Sequence, residues 1–303
     1  MPGLGERIRN GDVRALARAA SAIENRTSEA EPLLKELFPH TGRAILAGIT
    51  GAPGSGKSTL VDQLARVLRQ EGKSVGVIAV DPTSPYSGGA ILGDRIRMQQ
   101  HHADPGVFIR SMATRGALGG LARATTEMAL LLDAAGRDVI LIETVGVGQD
   151  EVEIARLADV TVVVLVPGMG DDVQAIKAGI MEIADVFVIN KADLPGADRL
   201  EREIRYAQSL AHRPDNWKPP IVHTVAKEGK GIEEALAALR SYLEFSRGKQ
   251  RTAANWALRL REMLRDRLLE RFTGIDFEAA AAEVAARTRD PYTLIEEWIN
   301  TLK

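Results

Sequence analysis

The sequence predicts an α/β protein with a doubly wound, mostly parallel β-sheet, and three observations lead to this fold class. Short apolar runs rich in β-branched residues alternate with helical patterns between residues 43 and 246. This alternation is typical of parallel sheets whose two faces are covered by helices. A glycine-rich loop directly follows the first apolar run, and after residue 246 the strand patterns stop while helical patterns continue.

The predicted elements follow one another in a regular order. The predicted strands are 44–49, 75–80, 107–110, 139–142, 160–166, 186–189 and 221–224. Helices are predicted near 57–70, 117–135, 150–158, 172–183, 198–211 and 231–246. The longest apolar run, 160–167, is far shorter than the ~20 residues of a membrane span and is expected to be a buried strand.

The composition excludes several classes of function. The 303 residues are 45% hydrophobic and 26% charged, with a formal net charge of -2, which argues against a surface that coats nucleic acid. The chain has no cysteine, so disulfides, thiolate metal sites and cysteine nucleophiles are excluded. The N-terminal stretch contains Glu6, Asp12 and Glu24, whereas transit peptides are poor in acidic residues. We therefore expect a helix beginning near Asp12 and a cytoplasmic protein that binds neither membrane nor nucleic acid.

A phosphate-binding motif follows the first predicted strand. The stretch "GAPGSGKST" satisfies the pattern G-x-x-x-x-G-K-[ST] and lies between a strand and a helix. Its glycines allow backbone N–H groups to point at phosphate oxygens, and the following helix directs its positive end at them. Lys57 is expected to reach the β- and γ-phosphates, and the Ser58 hydroxyl to bind Mg²⁺. The expected phosphate-binding residues are Gly51, Gly54, Ser55, Gly56, Lys57, Ser58 and Thr59.

A second motif, "NKAD", ends the sixth predicted strand and indicates that the base of the bound nucleotide is guanine. It contains Asn190, Lys191 and Asp193, and it shares a rim with the phosphate loop because the strands of a doubly wound sheet deliver ligand contacts at their carboxyl ends. The Asp193 carboxylate can accept from both N1–H and the exocyclic amine of guanine, a donor pair that adenine lacks. In "TVAK", Val225 replaces the serine that GTPases commonly have, so only a backbone contact from Ala226 is expected.

An acidic residue closes the fourth predicted strand. Glu143, in "ETVGVGQDE", should lie beside Ser58 and hold Mg²⁺ directly or through a water. Gly146 and Gly148 would then permit a loop whose position depends on the γ-phosphate. Gln149 is a candidate for orienting the attacking water, and capping of a helix N-terminus is the alternative.

No arginine finger can be assigned from these patterns. Arg115, Arg95 and Arg97 are equal candidates, and a partner protein could supply the group instead. Missing fingers lower GTPase rates by ~10³ to 10⁵, so slow intrinsic turnover that a partner accelerates is expected.

The second predicted strand follows the helix after the phosphate loop, and a crossover of this kind makes the two strands parallel. This arrangement resembles the SIMIBI class of P-loop GTPases, whereas the second strand of the Ras-like class is antiparallel.

Six sequence blocks in order resemble the MeaB/ArgK family, which includes the human methylmalonic aciduria type A protein. The blocks are "GAPGSGKST", "DPTSPYSGGAILGDRIRM", "RSMATRGALGGLA", "ETVGVGQDE", "PGMGDDVQAIKAGIMEIAD" and "NKADLPGAD". The resemblance implies a homodimeric GTPase that uses GTP and Mg²⁺ and escorts a cobalamin-dependent acyl-CoA mutase, such as methylmalonyl-CoA mutase. Such a chaperone gates cofactor loading and protects the mutase from inactivation. The implied domains are an N-terminal helical extension at 1–40, a P-loop GTPase domain at 41–247 and a C-terminal helical dimerisation arm at 248–303.

The resemblance also implies further site residues. Asp81 and Asp94 match the acidic Mg²⁺-site residues of the family's first switch region, and a helix N-cap is the alternative role for Asp94. Lys177 lies in the stretch that matches the third switch. It could sense the charge of the bound nucleotide, or be a solvated helix lysine.

Two other functions remain as alternatives. His101 and His102 suggest a nickel-inserting GTPase, although two adjacent histidines cannot form a metal site alone and no cysteine completes one. A kinase would need an acceptor pocket and a base for the acceptor hydroxyl, and the sequence indicates neither.

Overall fold

The computed structural model describes residues 2–81, 101, 103–113, 120–144, 155–168, 180–211, 213–246, 251–269, 271–272 and 275–300. The chain divides into two compact units, Met1–Gly248 and Lys249–Lys303. Among the helices of the described residues, none has the length and apolar character needed to cross a bilayer.

The first unit contains a seven-stranded parallel sheet. Its strands are β1 Ile45–Thr50, β2 Val75–Asp81, β3 Val107–Ala113, β4 Val139–Glu143, β5 Val160–Leu165, β6 Val186–Asn190 and β7 Ile221–Thr224. Their order across the sheet is β3-β2-β4-β1-β5-β6-β7, and all neighbouring strands are parallel. The predictions of seven strands, of a doubly wound parallel sheet and of a parallel β2 are therefore confirmed.

Helices cover both faces of this sheet, and their bounds are close to the predicted ones. The helices of the first unit are α1 Leu4–Arg9, α2 Val13–Glu24, α3 Ala30–Leu37, α4 Lys57–Gln70, α5 Gly120–Ala134, α6 Ile180–Ile183, α7 Ala197–Leu210 and α8 Ile232–Ser246. The predicted helix at 150–158 and the beginning of the one at 172–183 lie largely outside the described residues.

Successive residues of each strand pack on opposite faces, because side chains alternate along a strand. On one face, α4 and α8 pack against residues such as Val77, Leu141 and Val162. On the other face, α1, α2, α3 and α5 pack against Ile78 and Ile140. Strands with both faces buried need apolar residues throughout, which explains why β5 has the unbroken sequence VTVVVL.

The N-terminal helices share the core of the sheet. The side chain of Asp12 accepts hydrogen bonds from the backbone N–H groups of Arg14 and Ala15, so α2 begins where the sequence predicted a helix. Leu16 and Ile23 of α2 are buried in the same cluster as Ile78 of β2. Because their apolar stripe packs on β2 and α5, these helices form one layer of the first unit.

The second unit is helical, as predicted for the C-terminal region. It contains α9 Arg251–Leu269, α10 Phe277–Ala285 and α11 Pro291–Asn300. Asp276 caps α10, and the rings of Phe277 and Trp298 pack edge to face with centroids 5.3 Å apart. Large apolar side chains on α9 are exposed, namely Leu260, Met263, Leu264, Leu268 and Leu269.

Candidate nucleotide-binding site

The phosphate loop joins β1 to α4 and is held against two further strands. Gly51, Gly54 and Gly56 have φ angles of 141°, 79° and 90°, in the region that favours glycine. A Cβ atom at Gly51 would lie 2.1 Å from the carbonyl oxygen of Val164, and one at Gly56 would lie 2.4 Å from Nδ2 of Asn190. The glycines are therefore required both by the turn of the loop and by its close packing on β5 and β6.

Polar groups converge inside the phosphate loop. The Lys57 ammonium group donates to the carbonyl oxygens of Gly51 and Ala52, at 2.7 and 3.0 Å, and the lysine is only 6% exposed. Ser55 is fully buried, and its Oγ atom makes no hydrogen bond within the described part of the chain. Thr59, in the first turn of α4, is half-buried. A buried ammonium and a buried hydroxyl inside a loop of bent backbone suit an anionic ligand with many acceptor oxygens.

Glu143 and Ser58 meet at the end of the phosphate loop. The Ser58 hydroxyl donates to Oε1 of Glu143 at 2.6 Å, and both residues are buried. Their proximity follows from strand order, because β4 is the neighbour of β1 and Glu143 is in register with Ile49. Asp81 ends β2 on the same edge of the sheet, where only its backbone is described.

Several predicted site residues lie outside the described residues. They are Asp94, Gln149 and Lys177, the arginine-finger candidates Arg95, Arg97 and Arg115, and the loop glycines Gly146 and Gly148. His102 also lies outside, whereas His101 is buried and contacts Asp62.

Asn190 connects the phosphate loop to the end of β7. Its Nδ2 donates to the carbonyl oxygen of Ser55 at 2.9 Å, while its Oδ1 accepts from the Thr224 hydroxyl at 3.0 Å and from the Ala226 N–H at 3.1 Å. Both the nitrogen and the oxygen of this side-chain amide are therefore directed at neighbouring groups of the protein. Asn190 therefore holds the segment after β6, the segment after β7 and the phosphate loop in one arrangement.

The rest of the "NKAD" motif flanks this network. Lys191 has a left-handed backbone, with φ of 53°, and its ammonium group donates to the carbonyl oxygen of Gly54 at 2.9 Å. Asp193 is exposed, and its carboxylate makes no hydrogen bond with the described residues. The carboxylate of Glu228 raises the pKa of Lys230, and the nearby charge of Asp193 adds a smaller contribution.

Some contacts at this edge were not predicted from the sequence. The Thr144 hydroxyl donates to the Thr50 hydroxyl at 3.0 Å, and both threonines are buried. Thr50 ends β1 and Thr144 directly follows β4, so the hydrogen bond ties Thr144 to the start of the phosphate loop. The contact could have been predicted if β1 and β4 had been known to be neighbouring strands. The sequence patterns do not reveal the order of the strands in the sheet.

Comparison with known proteins identifies the relatives of this chain. Residues 16–276 match the family model described as methylmalonyl-CoA mutase-associated GTPase MeaB. A protein of Pyrococcus abyssi is 50% identical, over 95% of this chain and 92% of its own. GTPase ArgK of Escherichia coli is 40% identical, over 77% of this chain and 73% of its own. A crystal structure named as LAO/AO transport system kinase is 29% identical, with a TM-score of 0.75 over 99% of this chain and 96% of its own.

The family match extends from α2 through α9 of the second unit, and it includes the phosphate loop, Glu143 and the "NKAD" motif. Relatives that share 40% identity over most of the chain are named GTPases. This chain is therefore a P-loop GTPase of the MeaB family.

Proposed function

We propose that this GTPase binds GTP and Mg²⁺ at the carboxyl edge of the sheet and hydrolyses the γ-phosphate there. The network of Asn190 carries this proposal, because it joins the phosphate loop to the two segments expected to hold guanine. A single ligand that has a base at one end and phosphates at the other would then span the network. The buried Ser55 hydroxyl and Lys57 ammonium group support the phosphate end.

The oxygen atoms of Ser58 and Glu143 fit a magnesium ion. They lie 2.6 Å apart, and Mg²⁺ prefers hard oxygen ligands such as a hydroxyl and a carboxylate. When bound, the ion would neutralise charge on the β- and γ-phosphate oxygens. We propose Asp81 and Asp94 as further ligands, directly or through water.

The protein side chains then supply position and charge for hydrolysis. Lys57 offsets negative charge that spreads over the phosphate oxygens as the bond to the leaving group breaks. We propose that Gln149 orients the attacking water and that Lys177 responds to the presence of the γ-phosphate. Intrinsic turnover should be slow.

Exchange of Asp193 for asparagine tests the guanine site. We expect Asp193→Asn to weaken GTP binding at least ~100-fold and to improve binding of XTP, because the carboxylate can accept two guanine hydrogen bonds and an amide can donate to the extra carbonyl of xanthine. Competition between GTP and XTP for a fluorescent GDP analogue measures the change. Asp198→Asn, an exposed acid in the first turn of α7, is the matched control. An unchanged preference for GTP in Asp193→Asn would refute the assignment.

Ala226 is the expected backbone contact to guanine, and the structure limits that contact. Its N–H donates to Asn190 Oδ1 at 3.1 Å. A guanine oxygen would have to share this donor, so we assign most of the guanine selectivity to Asp193.

We further propose that the GTPase is a chaperone for a cobalamin-dependent acyl-CoA mutase, probed first with methylmalonyl-CoA mutase. In this role it gates cofactor loading and protects the mutase from inactivation. The description of the matching family supports this partner. Slow intrinsic turnover would suit a GTPase that responds to its partner.

The mutase from the same cell provides the test. We expect the two proteins to co-purify and the mutase to raise GTP turnover at least about tenfold, since a partner can supply or position groups that stabilise the transition state. Size-exclusion chromatography and phosphate release measure the two effects. Absence of a complex with GDP and with a GTP analogue, together with unchanged turnover, would exclude this role.

The exposed apolar residues of α9 support a homodimer. Leu260, Leu264 and Leu268 recur at the spacing of one helix face and are all more than two-fifths exposed. We propose that this stripe packs on a second copy of the chain, and light scattering should give twice the mass of one chain. The cytoplasmic location stays a prediction from the sequence.

A kinase is the second candidate, because the solved relative is named as a transport system kinase. Transfer of labelled γ-phosphate from GTP to a protein or small-molecule acceptor would favour it. Release of all label as inorganic phosphate would favour hydrolysis.

A further inference from the structure

Two buried threonines, Thr50 and Thr144, attach the end of β4 to the end of β1. The N–H of Thr144 donates to the carbonyl oxygen of Ile49 at 3.1 Å, and its hydroxyl donates to the Thr50 hydroxyl at 3.0 Å. The threonines are 0% and 1% exposed. Because a hydrogen bond that is shielded from water makes a buried contact more rigid, this threonine pair fixes the residue that directly follows Glu143.

The threonine pair lies on the face of the sheet opposite to Ser58. Ile49, which is in register with Glu143, belongs to the core cluster that includes α4. Ile142, two residues before Thr144, belongs to the cluster that includes α2 and α5. Since successive side chains alternate between the faces of a sheet, Glu143 is directed at α4 and the threonine pair at the other layer. A change to the pair therefore leaves the side chains beside Ser58 in place.

The position of Glu143 at the end of its strand gives the threonine pair its significance. β4 lies between β2 and β1, and Glu143 is in register with Ala79 and with Ile49. It is also the last residue of β4, so the contacts of Thr144 are what hold the chain on its carboxyl side. A rotation of the backbone at this point would carry the Glu143 carboxylate away from the Ser58 hydroxyl, which lies 2.6 Å from it. The hydrogen bond between the two threonines opposes that rotation.

We propose that Thr50 and Thr144 are positioning residues for Mg²⁺, which keep the Glu143 carboxylate beside Ser58 by holding the end of β4 against β1. The ion itself contacts neither threonine. Side chains that orient metal ligands in this way contribute roughly 10- to 100-fold to metal affinity in other proteins. This inference rests on the proposed magnesium site of Ser58 and Glu143, and loss of the hydrogen bond should raise the Mg²⁺ concentration needed for nucleotide binding.

Substitution by valine removes the hydrogen bond and keeps the branched shape of the side chain. We expect Thr50→Val and Thr144→Val each to raise about tenfold the Mg²⁺ concentration that half-saturates binding of a fluorescent, non-hydrolysable GTP analogue. In EDTA, the affinity for GDP should change less than about twofold, because the phosphate loop and the "NKAD" motif are intact. Thr144→Ser keeps the hydroxyl and should stay within about threefold of the wild-type Mg²⁺ requirement.

Thr161→Val is the matched control. Thr161 is fully buried in β5, the other neighbour of β1, and it precedes by two residues Val163, the partner of Thr50 in the strand register. Its Oγ1 atom makes no hydrogen bond within the part of the chain that the structure describes. The same loss of a buried hydroxyl therefore removes no contact at this position. We expect the control to keep the Mg²⁺ dependence of the wild type.

The double variant Thr50→Val/Thr144→Val separates positioning from stability. Each single variant leaves one hydroxyl of the pair buried without its partner, whereas the double variant leaves none. We expect the single variants to lower the melting temperature by about 3 °C and the double variant to recover most of that loss. The raised Mg²⁺ requirement should persist in the double variant, because two methyl groups supply no directional bond. If a single variant does not fold, the double variant gives the same readout.

The outcomes distinguish this inference from the proposed function. If the wild type binds the GTP analogue equally well with and without Mg²⁺, the proposed metal site fails. If wild-type binding depends on Mg²⁺ and the valine variants have the same half-saturating concentration, only the positioning role fails. Recovery of the wild-type Mg²⁺ requirement in the double variant, or an equal shift in Thr161→Val, would also refute the positioning role, because the shift would then reflect general destabilisation.

Discussion

Replacement of Lys57 by alanine is expected to abolish GTP hydrolysis and to weaken nucleotide binding at least ~100-fold. The Lys57 ammonium group lies inside the phosphate loop, 2.7 and 3.0 Å from two of its carbonyl oxygens, and is almost fully buried. A buried charge that meets phosphate oxygens is worth far more than one in water. It also stabilises the charge that develops on the transferred phosphoryl group.

Isothermal titration with GDP and with a GTP analogue, combined with a phosphate-release assay, measures both effects. Lys73→Ala is a suitable control, since Lys73 follows the far end of α4 and its side chain is half-exposed beside Asp138. We expect this control to bind and hydrolyse GTP as the wild type does. Turnover by Lys57→Ala within tenfold of the wild type would contradict the assigned role.

Gly51→Ala is expected to have the largest effect on stability. A Cβ atom at this position would lie 2.1 Å from the carbonyl oxygen of Val164, which belongs to the buried strand β5, and the φ angle of 141° is one that L-residues rarely adopt. Val164 is paired with Val188 of β6, so this part of β5 cannot move away without loss of strand pairing. We expect the free energy of unfolding to fall by more than about 3 kcal/mol.

Urea denaturation followed by circular dichroism measures this loss, and Gly72→Ala isolates the steric part. Gly72 also has a positive φ, 78°, but an added Cβ would meet nothing within 4 Å. We expect Gly72→Ala to cost only about 1 kcal/mol, the penalty for the backbone conformation. Equal losses in the two variants would show that contact with β5 does not matter.

Much of the fold was predictable because local patterns encode it. The runs of apolar residues gave all seven strands, and the alternation with helices gave their parallel direction. Asp12 was recognisable as the beginning of α2, since a side chain that caps a helix acts within three residues. The phosphate loop and the "NKAD" motif were equally visible, because each is a short continuous segment.

The side-chain contacts of the site could not be predicted from local sequence patterns. Asn190 was expected to take part in guanine binding, and that role stays a prediction. Its bridge between Ser55 and Ala226 was not predicted. The contacts Thr50–Thr144 and Asp62–His101 were not predicted, because each joins residues far apart in the chain. The N-terminal helices were predicted as helices, but their packing on Ile78 and Ile140 depends on which strands lie beneath them.

The sequence by itself determined the strands, the phosphate loop and the acid that ends β4, since backbone preferences and apolar periodicity act over a few residues. Only the tertiary structure decided that β4 lies beside β1, which brings Glu143 to 2.6 Å from Ser58 across 85 residues of chain. Strand order depends on how all helices and strands fill one core together, and no local segment carries that information.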